Sequence, residues 1–256
     1  VVPMDDRIMV HDCAITERHV LLFDFPVTFD LEAAMAGKDL PYAWNPSRPA
    51  RVGVLPLDGP AEAVRWCEVP QGFVFHAFNA FEAGDGRIVL DVVVWPKVFD
   101  VDRLGPGEGT SRTERWTLDP AAGTTSGAVL TDLPIEFPRI DERLTGTTHH
   151  LGYAVQIGTP GSVHMPLHRI DVDRGSVETL DLGPSWAFGE VVFVPRGAGA
   201  AESEGWLVGY ATDREAGRSD LVVVAADDLA DGPVARVHLP VRVPDGFHGN
   251  WLPDAP

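Results

Sequence analysis

Short apolar runs, rich in β-branched and aromatic residues and broken at close intervals by glycine and proline, set the pattern of this chain. Val20-Leu21-Leu22-Phe23-Asp24-Phe25 reads as a strand stopped by Pro26. Strand-like runs follow at Arg51–Leu57, Val64–Val69, Phe73–Ala80, Ile88–Trp95 and Arg112–Leu118. The second half continues with Leu151–Ile157, Ser162–Asp171, Ser176–Leu182, Glu190–Val194, Gly205–Tyr210, Asp220–Ala226 and Val234–Val243. Turn-forming pieces such as Leu57-Asp58-Gly59-Pro60, Gly84-Asp85-Gly86 and Asp231-Gly232-Pro233 separate several of them. Helical spacing is rare. Asp30–Gly37 is one candidate, with Asp30 placed to cap its start and Gly37 to end it. Gly197–Glu204 is small and acidic and reads as a surface loop. Many short strands with few helices predict an all-β fold, although spacing alone does not separate a sandwich from a propeller. No clear long-period repeat stands out.

One run carries a polar residue that needs an explanation. In Phe73-Val74-Phe75-His76-Ala77-Phe78-Asn79-Ala80-Phe81-Glu82, strict alternation predicts that His76 shares a side with Val74, Phe78 and Ala80. Taken alone, such a histidine is most often a hydrogen-bonded core residue. Two others have similar settings. His11 follows Ile8-Met9-Val10, and His248 lies in Gly246-Phe247-His248-Gly249-Asn250-Trp251. Three histidines beside apolar or glycine-flanked segments suggest a metal centre assembled from distant parts of the chain. No local helix could present them, in contrast to HExxH sites.

Composition narrows the alternatives. With 38 acidic and 20 basic residues the net charge is −18, which argues against nucleic acid and against a polybasic membrane surface. Cys13 and Cys67 are the only cysteines; they make neither a disulfide framework nor a thiolate zinc site, and a reduced, cytoplasmic setting is the simple expectation. The start, Val1-Val2-Pro3-Met4-Asp5-Asp6-Arg7, lacks the apolar core of a signal peptide, and no apolar run is long enough to span a bilayer. At 256 residues the chain could form one large domain or two small ones; we expect a single domain over residues 1–256.

The pieces HDCAITE (from His11), FHAFNAFE (around His76) and GFHGNW (around His248) resemble the histidine motifs of the carotenoid cleavage oxygenases, which include the lignostilbene dioxygenases. Glu136-Phe137-Pro138-Arg139-Ile140 and Gly189-Glu190-Val191-Val192-Phe193-Val194-Pro195 fit the same family, and all five pieces occur in its order from His11 to Trp251. The resemblance implies a seven-bladed β-propeller with iron on its axis. At roughly 40–50 residues per blade, this chain would supply about four or five blades. Family members carry a further ligand histidine and a further glutamate upstream of the first motif; this chain is therefore expected to be the C-terminal part of a longer protein, inactive in isolation.

The resemblance further implies that His11, His76 and His248 are three of four ligands to Fe(II), a metal that imidazole suits. It assigns Glu136 and Glu190 to the ring N–H groups of ligand histidines, Glu136 to His76 and Glu190 to His248, where a carboxylate fixes the tautomer and raises basicity. The implied reaction inserts both atoms of O2 across a carbon–carbon double bond of a carotenoid, apocarotenoid or stilbene-type substrate, a small lipophilic or aromatic alkene. Phe78, two residues from His76, is the best candidate for lining a substrate tunnel; Phe81, Trp44, Trp95, Trp186 and Trp251 read mostly as core.

Other candidates keep ordinary readings. His149 and His150 are adjacent and would face opposite sides of a strand, His164 and His168 are separated by Pro166, and His19 and His238 read as partly exposed strand residues. Glu17 and Glu82 lie in the motifs without a ligand role, and Asp12 is a sequence neighbour of His11 rather than a dyad partner. Competing functions are a metal-free propeller binding module, a family member acting as an isomerase, and a calcium-dependent propeller hydrolase. The last would need convergent oxygen ligands rather than histidines.

Overall fold

Strands joined by short turns pair with their neighbours in sequence, and the computed structural model, which describes residues 2, 4, 6–103, 107–157 and 162–253, shows that outcome for all pairs but one, His19–Asp24 with Arg51–Pro56. The strands in order are β1 (Cys13–Ile15), β2 (His19–Asp24), β3 (Val27–Phe29), β4 (Tyr42–Trp44), β5 (Arg51–Pro56), β6 (Arg65–Glu68), β7 (Phe73–Glu82), β8 (Ile88–Trp95), β9 (Arg112–Asp119) and β10 (Thr124–Thr131). They continue with β11 (Ile135–Arg139), β12 (Leu151–Gln156), β13 (Leu167–Asp171), β14 (Ser176–Leu180), β15 (Trp186–Pro195), β16 (Gly205–Asp213), β17 (Arg218–Ala225) and β18 (Pro233–His238). They form four antiparallel four-stranded sheets, ordered β1-β2-β5-β6, β10-β9-β8-β7, β11-β12-β13-β14 and β15-β16-β17-β18, plus the ribbon β3-β4. Four-stranded antiparallel sheets of this kind are the building unit of a β-propeller. The all-β expectation is met, and so is the helix: α1 (Leu31–Met35) has Asp30 accepting the Ala33 amide, and Gly37 takes a left-handed φ of 72° just past its end.

The chain divides into two compact units, Val1–Leu133 with Thr145–Thr148, and Pro134–Leu144 with His149–Pro256. In the first, Phe23, Phe25, Phe73 and Trp116 pack ring against ring, with centroids 5.5 Å (Phe23–Phe25), 5.8 Å (Phe25–Phe73) and 6.5 Å (Phe25–Trp116) apart. Its buried carboxylates are paired: Asp24 accepts from Arg48 and Arg51, and Asp91 from Arg115. In the second, Tyr153, Leu167, Phe193, Leu207 and Val222 belong to one buried cluster, with the Tyr153 and Phe193 rings stacked at 6.2 Å.

A faint repeat does exist, in the turns. Asp119–Gly123, Asp171–Gly175 and Asp213–Gly217 share an Asp-x-x-x-Gly pattern. In each, the Asp Oδ1 accepts amides two or three residues on, and the Gly has a φ of 72°, 68° or 65°. Only glycine adopts that conformation at little cost.

The alternation expected around His76 fails. β7 pairs with β8 through register shifts between Val74 and Ala77 and between Ala77 and Asn79. Phe73, Val74 and Phe75 are all buried, while His76 and Ala77 are half-buried. A bulge turns the strand and re-aims its side chains, so the period-two count does not carry through it. The same device recurs at β11, between Glu136 and Arg139, and at β15, between Phe188 and Val191, the interval that holds Glu190. Each of these strands is an edge of its sheet.

Gly209 faces the β15 bulge. A Cβ there would lie 2.8 Å from the Glu190 carbonyl oxygen and 2.9 Å from Val191 Cγ1. Gly209→Ala should therefore lower stability by about 1–3 kcal/mol, as overpacking does. Urea unfolding midpoints check this, and an unchanged midpoint would mean that the bulge has room to shift.

Glu82, at the end of β7, ties the two four-stranded sheets of the first unit together. Its carboxylate accepts from Thr16 Oγ1 (2.6 Å), His19 Nδ1 (2.8 Å) and Arg18 Nη2 (2.9 Å). Desolvation acts to raise its pKa, but the hydrogen bonds from Thr16, His19 and Arg18 outweigh it and hold the group at about 2, against 4.5 ordinarily. A depressed folded-state pKa contributes stability above the unfolded value that is lost as pH falls through the folded one. The stability difference between parent and Glu82→Gln, on the order of 1–3 kcal/mol at neutral pH, should shrink between about pH 4.5 and 2. Denaturation series at stepped pH would show it, and a pH-independent difference would contradict it.

Candidate metal centre

His11 lies just ahead of β1, on a segment held by the Met9 amide to the Val27 carbonyl at 2.9 Å. Its ring meets that of His76 edge-on, with centroids 5.1 Å apart and planes at 70°. Phe75 closes one side, 5.2 Å from His11. Asp12 makes the junction. One carboxylate oxygen accepts the Cys13 amide at 2.7 Å, and the other accepts the Ala77 amide at 3.1 Å, next to His76 in the bulge. Asn79 continues the anchoring by accepting from the Gly146 amide and donating to the Thr147 carbonyl. Asp12 is thus no dyad partner of His11; it fastens the His11 segment to the His76 strand.

The second unit holds the other candidates. Glu136 is buried, with Oε2 accepting the Phe137 amide at 3.2 Å. Phe137 takes a left-handed φ of 55° and sets its ring 5.9 Å from that of His248. Glu190 has a buried carboxylate with two tasks: Oε1 lies 3.1 Å from His248 Nδ1, and Oε2 accepts the Gly249 amide at 2.9 Å. A carboxylate only accepts, so Nδ1 carries the ring proton and Nε2 keeps its lone pair. Arg139 completes the arrangement by donating from Nη1 to Glu190 Oε2 at 3.2 Å and to the Gly249 carbonyl at 3.1 Å, while Nε and Nη2 engage Glu142.

Sequence reasoning weighed Asp12 only as a dyad partner and gave Arg139 no role, although both stand inside the motifs. Their signal was a charged residue fixed beside a candidate histidine or glutamate. The remaining histidines have other partners or surroundings. His19 pairs with Glu82, His150 with Asp173, His164 with Asp181 and His238 with Asp220. His149 is buried, and His168, between Thr179 and Gln156, is pushed by burial down to about 4. Phe78, Phe81, Trp44, Trp95 and Trp186 are buried and Trp251 is exposed.

The donor set suits a divalent metal of imidazole preference. Nitrogen donors bind such an ion at about 2.0–2.1 Å, which places neighbouring ring centroids about 4.5–5 Å apart, close to the His11–His76 separation. Among the described residues, neither unit alone gathers three His, Cys, Asp or Glu side chains around one point. The first unit offers a pair of imidazoles, and the second offers one imidazole whose tautomer is set by a carboxylate.

Comparison with known proteins bears on this arrangement. The family model described as RPE65, retinal pigment epithelial membrane protein, matches residues 1–253. A carotenoid cleavage oxygenase of Mycobacterium tuberculosis is 38% identical over 294 residues, covering 96% of this chain and 58% of its own. The crystal structure of Pseudomonas brassicacearum lignostilbene dioxygenase superposes with a TM-score of 0.87 at 32% identity, over 96% of this chain and 55% of that one. That of cobalt-substituted Synechocystis ACO gives 0.86 at 27% identity, over 96% and 53%. The chain spans about half the length of the curated relatives it matches. With a family model matched over nearly all its residues and motifs in the expected order, the chain belongs to the RPE65/carotenoid oxygenase family.

Proposed function

We propose that this chain contributes His11, His76 and His248 to the Fe(II) centre of an oxygenase that cleaves a carbon–carbon double bond of a carotenoid, apocarotenoid or stilbene-type alkene. The single observation that carries this reading is the edge-on His11–His76 pair, 5.1 Å apart and fastened by Asp12. The overall reaction balances: one C=C bond and one O2 are consumed, and two carbonyl products form, each with one oxygen atom. When bound, the ion would supply activation of dioxygen beside the alkene.

The protein's own part is positional. Glu190 holds the His248 proton on Nδ1 and directs Nε2 for coordination, and Arg139 keeps that carboxylate and the Gly249 backbone in place. Glu136 is proposed to do for His76 what Glu190 does for His248. The aromatic surroundings of His76, with Phe75 and Phe78 buried, exclude water from the reacting alkene. Phe78 is proposed to line the substrate path. No helix of the described chain is long and apolar enough to cross a membrane.

The test is to supply Fe(II), a stilbene or apocarotenoid and isotopically labelled O2 to this chain within the intact protein of its host, because residues 1–256 alone are expected to be inactive. Two carbonyl products, each carrying one label, are expected; recovery of a geometric isomer, or of unchanged substrate, would overturn the cleavage reading. His11→Ala and His76→Ala should each abolish iron retention after desalting. Glu190→Gln should weaken iron affinity by about 10–100-fold, the usual effect of losing a carboxylate behind a ligand histidine, with the protein still folded by circular dichroism.

A further inference from the structure

The span between His11 and His76 is set inside the first unit, and most of what surrounds it is fixed. Phe75 lies 5.2 Å from the His11 ring and is backed by Phe73 at 4.7 Å and Phe99 at 6.4 Å. Phe99 is buried, has a left-handed φ of 56°, and offers its carbonyl to the Trp44 amide at 3.2 Å. On the other side of the bulge, Asn79 accepts the Gly146 amide at 3.0 Å and donates to the Thr147 carbonyl at 2.8 Å.

The piece that stands outside any strand is the one that carries His11. Its tie to the His76 backbone is Asp12. One carboxylate oxygen takes the Cys13 amide at 2.7 Å, and the other takes the Ala77 amide at 3.1 Å. Ala77 stands between the two register shifts of β7, where the ladder is most disturbed. Both backbone groups are donors, so the side chain that bridges them must accept at two separate oxygens. A carboxylate does so. An amide of the same shape has one oxygen, and it would turn an NH2 donor toward one of the two N–H groups.

We propose that Asp12 is a positioning residue that sets the span of the two imidazoles before any metal is bound. It acts through the backbone of Cys13 and Ala77. A metal binds only the population in which both rings stand at the right separation, and its apparent affinity scales with that population. Asp12 keeps that population high in the metal-free protein. The inference rests on the metal centre proposed above and assigns the source of its preorganisation.

Asp12→Asn, made in the intact protein of the host, tests this with two readings. Fe(II) affinity, from anaerobic competition with a chelator, should fall about tenfold, the loss expected when one hydrogen bond to a charged acceptor is removed. Hydrogen exchange of the Ala77 amide is the second reading and needs no turnover. In the parent its protection should be the same with and without metal. In Asp12→Asn it should be lost in the metal-free protein and regained on loading. Should the added donor prevent folding, Asp12→Ala, which removes both acceptors and adds no donor, should give the same two readings. Glu82→Gln is the control for general destabilisation: it loosens the far end of β7 and should leave Fe(II) affinity unchanged. The inference is overturned if Asp12→Asn binds Fe(II) as the parent does, if Ala77 protection in the parent depends on metal, or if Glu82→Gln weakens binding as much. Iron lost from His11→Ala and His76→Ala but held at parental affinity by Asp12→Asn would sink only this inference. Iron retained by both histidine variants would sink the metal reading itself.

Discussion

A backbone amide that leaves a β-ladder must find another acceptor, because an unpaired buried N–H is too costly to keep. That obligation organises the chemistry-bearing parts of this protein. Bulges in β7, β11 and β15 release amides and turn side chains away from strict alternation. A carboxylate stands at each place. Asp12 takes the Ala77 amide, Glu136 the Phe137 amide and Glu190 the Gly249 amide. At β7 and β11 the carboxylate thus satisfies the backbone where the ladder is broken, whereas at β15 it reaches from the bulged strand to the amide of the loop that carries His248.

The acidity of the chain looks different once the partners are placed. Asp24, Asp91, Asp141 and Asp220 are buried, and each is met by at least one arginine: Arg48 and Arg51, Arg115, Arg143, and Arg236 respectively. A buried carboxylate stripped of its partner costs about 3–5 kcal/mol, so these arginines are committed inside the fold. Several of the 20 basic residues are thus spoken for, and much of the −18 net charge is left to solvent-facing acids.

Most of the fold was legible because its strands pair locally. Ile88–Trp95 carries its whole signal in its own residues and forms β8 end to end. Thr124–Thr131 was not legible: its residues are largely exposed, and β10 exists because β9 offers it an edge. β18 stops at His238, short of the expected Val243, since no further strand pairing holds the chain there. His76 was found by its motif and misplaced by periodicity, because a bulge is a tertiary event that a period-two count does not contain. The Asp-x-x-x-Gly turns were present in the sequence all along, yet three short, degenerate pieces become a repeat only when their shared hydrogen bonds are seen.

The two exposed candidate histidines, His11 and His248, share a construction. Neither stands in a strand, and each is fastened to a bulged edge strand by a carboxylate. At His11 the carboxylate is on the loop and the amide on the strand; at His248 the carboxylate is on the strand and the amide on the loop. Either way, one hydrogen bond to a charged acceptor converts a flexible segment into a fixed bearing for an imidazole. Such bonds are shorter and stronger than neutral ones, and they leave the ring free to adjust about its own side-chain torsions. Each of the two bearings, taken by itself, separates rigidity from adjustability. The sheets supply rigidity through strands such as β8, buried along nearly its whole length, and the loops leave each imidazole some freedom of orientation.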